Sequence, residues 1–396
     1  MFSTLRETRL TKIYVVPSFF TTSAMMTWAI SVLYALDLGA DVLQVNLITT
    51  VWSAMGILVL VPFGLMSDRF GRRPMLLYPR ALALIGTLIR ALATNSDHLL
   101  LAAFIGGFAG AGFFPILLSM ITDITSADKQ KEAISTLFMF SGIGQLIGPL
   151  IGSFLLTLPF VSLRTLHQID LVAQVAILLY IATQIQETKM QSPSTQLDQP
   201  SYQENIAALM RTPRFIGLLV MVCCYFFAFA IMSTYIPILG RVDLGLSDAE
   251  VSSLSTFRSA GVMLIRFSST TFLLGVSMKL FLLAMLGLGG ITSLIMPFAG
   301  DYLSVSLLAF IYGISFGATM SLGSAFVAAD STSHNRGVAN SIYNAAQASG
   351  NILKVFTSSI ADTLGLTPVF ILSGITAFIA MIPISLRKKR DELPVQ

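Results

Sequence analysis

Gly64-Leu65-Met66-Ser67-Asp68-Arg69-Phe70-Gly71-Arg72-Arg73 is a dense polar run set between two long apolar segments. By charge alone it is a basic loop at a membrane surface. The composition around it puts the chain in a bilayer. Apolar residues make up 55% of the 396 residues and charged residues 11%, against roughly 25% charged in soluble domains. A soluble fold of this length has too little interior to hide so much apolar surface, so lipid is the expected solvent. The net charge of +4 is small and gives no nucleic-acid signal. Its distribution is more informative.

Crossing a bilayer takes roughly 20 apolar residues, and the chain offers twelve such windows. Spans 1 to 6 are predicted over 13–36, 44–66, 74–94, 98–121, 133–158 and 166–184. Spans 7 to 12 follow over 215–239, 249–272, 275–297, 302–327, 337–360 and 366–386. The junction of spans 8 and 9 has almost no charge and is the least sharply marked. Glycine and proline within these windows do not argue against helix, because both are commoner in membrane helices than in soluble ones.

Lysine and arginine orient the bundle. With both termini in the cytoplasm, the inner segments carry Arg6, Arg9, Lys12, Arg69, Arg72, Arg73, Lys129, Lys131, Lys189, Arg211, Arg214, Lys279, Arg336 and Arg387-Lys388-Lys389-Arg390. The outer loops carry Arg164 and Arg241, so the bias is seventeen against two, in the sense of the positive-inside rule. The final cluster reads as a stop after the last span. The chain begins with a short charged segment that leads into a continuing helix, so no cleavable signal peptide is expected. The expected location is the inner (cytoplasmic) membrane of a cell.

The chain also repeats itself. A displacement of 206 residues sets Leu38-Gly39 on Leu244-Gly245 and Ala54 on Ala260. A displacement of 207 sets Gly106 on Gly313, Gly110 on Gly317 and Asp123 on Asp330. The matches fall in spans 2 and 8 and in spans 4 and 10, as two homologous six-helix halves require. The halves are read as 1–184 and 215–396, joined by a polar cytoplasmic linker, 185–214, and ending in a short basic tail. Asp68, Arg72 and Arg73 have no counterpart in the second half, where the aligned run is LLGVSMK.

The spacing GxxxDRxGRR of residues 64–73 resembles the signature loop of the major facilitator superfamily of secondary transporters, between transmembrane helices 2 and 3. The resemblance implies an all-α fold of twelve helices in two pseudo-symmetric halves that rock around a central site. It also implies a conformational latch. Gly64 would let spans 2 and 11 approach, and Asp68 would face the amino-terminal end of span 11 near Arg336-Gly337. Asp123 is a candidate partner for Arg72 or Arg73, with Arg69 and Gly71 in the same loop and Arg80 two turns away as a further member. The competing reading is that these charges only set topology.

Span 5 holds a second motif, Gly144-Gln145-Leu146-Ile147-Gly148-Pro149-Leu150-Ile151-Gly152. It resembles the superfamily's antiporter signature GxxxGPxxG(G), with Ser153 at the final glycine position, and this tilts the expected direction towards export. Its glycines offer a smooth face for close packing, and Pro149 removes one backbone donor and bends the helix. Simple interhelical packing is the plainer alternative.

The residues usual for proton coupling are sparse. Proton-coupled drug exporters usually carry an arginine where this chain has Ala103, and no Asp or Glu lies in the middle third of a predicted span. Asp37, Asp170, Glu187 and Glu250 lie near ends, and His98 and His167 are expected to be surface histidines at outer boundaries. The proton is the expected coupling ion, through Asp123, with an ungated facilitator as the alternative. The span interiors hold cations: Arg80, Arg90, Arg258, Arg266 and Lys354. Snorkelling to an interface is expected of Arg90, Arg266 and Lys354. Arg258 lies eight residues beyond Glu250, which at the helical rise is roughly 12 Å deep. It faces either the cavity, favouring an anionic or strongly polar group, or a structural partner.

The remaining cavity candidates are Thr27 and Trp28 in span 1, Asn46 and Thr50 in span 2, Tyr225 and Phe229 in span 7, and Tyr343, Asn344 and Gln347 in span 11. Asn340, Asn344, Gln347 and Asn351 follow helical spacing and form one polar stripe. A lipid-facing stripe of amides is costly, so it is expected to face protein or water.

No enzymatic constellation emerges. Cys223 and Cys224 are adjacent and lack metal-site spacing, the three histidines are scattered, and there is no GxxxxGK[ST] phosphate loop. Neither a cofactor nor a metal is expected. The function read from the sequence is proton-coupled export of small amphipathic compounds by a monomer in the lipid bilayer. The alternatives are movement of an organic anion or polar metabolite, and, more remotely, a non-transporting receptor or scaffold.

Overall fold

The computed structural model describes residues 8–110, 112–126, 128–188, 202–272, 277–332 and 335–387. Side-chain surroundings at 60, 61, 64, 65, 68, 202–205 and 267–272 lie outside that description. Every element described is helical, whether α, 3₁₀ or, over Leu239–Asp243, π, and no strand occurs among the described residues. In chain order the helices are α1 (Thr8–Trp28), α2 (Ser31–Asp37), α3 (Val42–Phe70), α4 (Arg72–Ala91), α5 (Ser96–Gly110), α6 (Phe113–Ile124), α7 (Gln130–Leu155) and α8 (Leu163–Gln184). Then come α9 (Tyr202–Met210), α10 (Pro213–Ile238), α11 (Asp248–Phe272), α12 (Met278–Ile295), α13 (Tyr302–Asp330), α14 (Arg336–Leu353), α15 (Thr357–Leu364), α16 (Leu366–Ile379) and α17 (Met381–Ser385).

Joining pieces separated by short breaks turns these helices into twelve rods among the described residues, with α9 standing apart as a short helix inside the polar linker. Among the described residues eight helical spans are long and apolar enough to cross a membrane, or nine when α1 and α2, bent by 42°, count as one. The other three rods are α4, α11 and α14–α15. They fail on composition because they carry Arg80 and Arg90, Arg258 and Arg266, and the amide stripe. Their polar residues need protein or water beside them.

Local chemistry fixes the rod ends. Asp41, Ser162 and Asp301 open α3, α8 and α13 with reciprocal capping boxes to Gln44, Thr165 and Ser304, which satisfy amide donors that a helix start leaves open. Gly39 and Gly245 both take left-handed backbone, with φ of 82° and 64°. Their numbers differ by 206, the repeat read from the sequence (245 − 39).

The chain forms two compact units, Met1–Ser194 with Ser247–Thr256, and Thr195–Leu246 with Phe257–Gln396. In the first, α1 packs on α7 and α8, and α5 packs on α3 and α4. Its core includes Tyr14, Leu76, Leu117, Met120, Ile121, Leu137 and Ile181. In the second, α10 packs on α14 and α16, and α12 on α13 and α16. That core includes Phe215, Met221, Tyr225, Leu286, Val327 and Ala339.

A matched pair of close approaches ties sequence repeat to packing. A Cβ on Gly107 would strike the backbone of Trp52, and a Cβ on Gly313 would strike the backbone of Arg258. Both partners differ by 206 (313 − 107 and 258 − 52). The register of spans 4 and 10 at this contact is therefore 206, one residue away from the Gly106–Gly313 match. Only glycine lets the two helices approach this far.

Candidate functional site

The signature loop is built around Gly71. Its φ of 102° ends α3 and starts α4, and a Cβ there would lie 2.5 Å from Glu187 Oε2. The space is taken because Glu187 caps α4: the Arg72 and Arg73 amides donate to its carboxylate at 3.0 and 3.1 Å. Arg72 Nε donates to Asp123 Oδ2 at 3.0 Å, and its Nη1 donates to Ser67 at 3.1 Å. Arg73 donates to the Ala182 carbonyl at 2.6 Å. The loop thus ties α3, α4, α6 and the end of α8 together. Glu187 is a member the sequence reading does not assign, since a carboxylate just past a helix end gives no sign of which amides it will cap.

Arg69 is exposed over the Phe70 ring, and Arg336 is exposed at the start of α14. The surroundings of Gly64 and the Asp68 side chain lie outside the described residues. Arg80 is a correction. It does not join the Arg72–Asp123 pair but is buried between the rings of Phe20 and Phe113, at 4.2 and 4.7 Å, with Nη1 3.4 Å from Gln174 Oε1. At two turns from the loop its guanidinium turns inward, where aromatic faces and an amide oxygen replace water.

The glycines of span 5 lie against α1. A Cβ on Gly144 would meet the Ser18 carbonyl at 2.7 Å and the Thr22 amide nitrogen at 2.8 Å. One on Gly148 would meet Met25 Cβ at 2.9 Å and the Met26 nitrogen at 3.0 Å, and one on Gly152 would meet Met26 Cγ at 3.1 Å. Pro149 is buried within α7. The motif is a backbone-to-backbone seam between the first and fifth rods.

Beside that seam sits a buried polar cluster. Asp170 on α8 is 2% exposed and accepts hydrogen bonds from Ser23, from Thr27 at 3.5 Å and from Gln174 at 3.1 Å. This corrects the expectation for Thr27, which turns into the cluster rather than towards a cavity. It also corrects His167, expected at the surface but 1% exposed and packed on Tyr34 with ring centroids 4.4 Å apart. Asp170 and His167 both lie in the first part of α8, yet the helix face, not the distance from its end, decides their burial. Asn46 is likewise fully buried. Thr50 is half-buried, whereas Trp28 and Trp52 are partly exposed in an edge-to-face pair at 5.9 Å.

In the second unit Tyr225 and Tyr343 are core residues rather than lining ones. Tyr225 bonds Ser315 at 2.9 Å, and the Tyr343 hydroxyl lies over Gly323. Phe229 is partly exposed, stacks on Phe316 at 4.1 Å and lies 5.5 Å below the Arg258 guanidinium, which is itself partly exposed. Asn340 and Asn344 are exposed, with Gln347 and Asn351 half-buried, while Ala339, Tyr343 and Gly350 bury the other side of α14. Such an amide face does not suit lipid.

Two cations expected at interfaces are internal. Lys354 is 2% exposed and donates to Thr234. Arg387, read as part of a topological stop, pairs with Asp330 and donates to the Arg214 carbonyl at 2.9 Å. Because Asp330 matches Asp123 in the repeat, each unit holds an arginine on the equivalent aspartate. In the second unit that arginine comes from the end of the last rod instead of the 8–9 loop.

The sequence pattern of the Major Facilitator Superfamily matches residues 14–354. The chain belongs to the Major Facilitator Superfamily. Multidrug resistance protein MdtL of Shigella flexneri is 25% identical over 340 residues, 82% of each chain. An uncharacterised MFS-type transporter of Bacillus subtilis, YfiU, is 35% identical over 136 residues, 34% of this chain and 26% of that one. A triacylglyceride transporter of Mycolicibacterium hassiacum is 30% identical over 125 residues, 31% of this chain and 23% of that one. The matches to those two relatives thus span about a quarter of their length. Among solved structures, a bacterial homologue of the human lysosomal transporter Spinster superposes with a TM-score of 0.79 at 15% identity, covering 97% of this chain and 98% of that one. A POT family transporter superposes with a TM-score of 0.78 at 16% identity, covering 95% of each. At these identities the structures show the fold. As a superfamily member the chain is a multi-pass membrane transporter of small molecules and not an enzyme.

Proposed function

We propose that this transporter exports small amphipathic compounds in exchange for protons, by alternating access, as a monomer in the inner membrane of the cell with both termini cytoplasmic. The observation that carries the reading is the Gly144–Gly148–Gly152 seam on α1, the antiporter-like motif in a chain related along most of its length to a multidrug resistance protein. Partly exposed aromatic residues of the first unit, Trp28 and Trp52, supply apolar contacts of the kind an amphipathic compound needs. The Arg72–Asp123 pair and the Glu187 cap act as a latch, because partly hydrated contacts of this kind shift an equilibrium whose states differ by a few kcal/mol.

Inverted membrane vesicles test the reading. A labelled lipophilic compound is expected to accumulate when the vesicle interior is acidified, and to leak back when an ionophore collapses the gradient. Accumulation indifferent to the gradient would refute proton exchange.

A second reading has its own observation. Arg258 and the exposed amides of α14 suit an organic anion or polar metabolite. Saturable exchange of labelled anions, lost in Arg258→Gln and absent for neutral amphiphiles, would favour it over the first.

A further inference from the structure

We propose that Asp170 is the proton-binding site of this transporter. The inference rests on the proton-exchange reading above and places the proton on Asp170 rather than on Asp123, which Arg72 holds at 3.0 Å. The carboxyl lies where three rods meet. Ser23 and Thr27 reach it from α1, Gln174 from one turn further along α8, and Arg80 through the Gln174 amide, whose Oε1 accepts from Arg80 while its Nε2 donates to Asp170. Arg90 on α4 also faces the carboxyl electrostatically. The remaining titratable groups nearby are Tyr34 on α2, whose hydroxyl donates to the Arg90 carbonyl at 3.0 Å, and His167 on α8 itself. Arg164, nearer the start of α8, is tied to the Ala93 carbonyl.

Two opposed influences set the charge of such a group. Withdrawal from water favours the neutral acid, while nearby guanidinium groups and donated hydrogen bonds favour the carboxylate. The balance therefore depends on how closely α4 and α1 hold to α8, and any shift between them changes proton affinity. The reverse also holds. A proton added to one Asp170 oxygen cancels the attraction that gathers Arg80 and Arg90 and turns an acceptor into a donor. Proton binding and helix packing are thus linked, as coupling requires. His167, three residues earlier on the same helix, has no hydrogen-bond partner at either ring nitrogen. Ser23 and Thr27 are chain neighbours of Thr22 and Met26, which line the α1–α7 glycine seam.

The test uses full-length protein in proteoliposomes, with Asp170→Asn and Asp170→Glu beside wild type. Tetraphenylphosphonium is the labelled compound and a pH-sensitive dye reports proton movement. The expected result is that Asp170→Asn keeps exchange of compound against compound, loses compound-driven proton movement and loses the pH dependence of transport, whereas Asp170→Glu retains all three. Proton movement that survives in Asp170→Asn would overturn the site while leaving proton exchange standing. Absence of proton movement in wild type would overturn both. If Asp170→Asn and Asp170→Glu both lose exchange as well as proton movement, the residue is structural and the inference fails. Infrared spectroscopy gives a reading independent of transport: a protonated-carboxyl band that appears on acidification of wild type should be missing from Asp170→Asn, and its persistence there would contradict the assignment.

Discussion

Arg387→Met removes one half of a buried ion pair, and the structure says what is left behind. The side chains of Arg387 and Asp330 are 5% and 8% exposed. Arg387 also donates to the Arg214 carbonyl at the start of α10 and lies 4.7 Å over the Phe326 ring of α13. Methionine keeps much of the volume but leaves the Asp330 carboxylate without its cation. Removing one partner of a buried pair costs about 3–5 kcal/mol, because the survivor remains a desolvated charge. For a cooperative unit of this size each kcal/mol moves the midpoint by roughly 2–4 °C, so the expected drop is about 6–20 °C. The companion Arg387→Met/Asp330→Leu variant removes the stranded charge and should recover most of the loss. Thermal unfolding in detergent can be followed with a thiol-reactive dye, because Cys223 and Cys224 are unpaired and only partly accessible in α10 of the same unit. A drop below about 1 kcal/mol in the single variant, or a double variant worse than either single one, would refute the buried-pair argument.

Other expectations are narrower. Gly148→Val should abolish folding or transport, since its Cβ would lie 2.9 Å from Met25 Cβ and 3.0 Å from the Met26 nitrogen; wild-type yield and exchange rates would contradict the seam. Asp123→Asn, which weakens the 3.0 Å contact to Arg72, should slow turnover severalfold with little change in compound binding, and equal effects on both would argue against a latch. Asp301, at the open end of α13, is held below the usual carboxylate range by hydrogen bonds from the Ser304 side chain and amide. Its folded value is depressed, so its contribution is present above the unfolded value and lost as pH falls through the folded one. Acid sensitivity of the second unit should therefore lessen in Asp301→Asn, as measured by thermal unfolding against pH.

The fold was legible because its signals are one-dimensional. Apolar length, the GxxxDRxGRR spacing and the 206-residue repeat each survive without knowledge of contacts. The repeat reached even side-chain level: the left-handed Gly39 and Gly245 and the Gly107–Trp52 and Gly313–Arg258 approaches obey it. Sites were harder to read, since they depend on which face of a helix turns inward. Distance from a helix end placed Asp170 and His167 near water, yet the 100° step per residue that sets side-chain direction puts both against α1, α2 and α4. Arg80 shows the same limit, turned away from the loop it seemed to serve. Glu187 and Arg387 were hidden for another reason: both lie just past helix ends, where sequence gives charge but no direction.

Proton movement in wild-type proteoliposomes tests the central claim most directly. The vesicles are loaded with a pH-sensitive dye, a pH gradient is imposed, and lipophilic cations, anions and neutral amphiphiles are added in turn. Proton exchange predicts a dye response that appears only with transported compounds, opposite in direction to compound movement. Labelled compounds that equilibrate without any proton response would contradict it and leave a facilitator in its place.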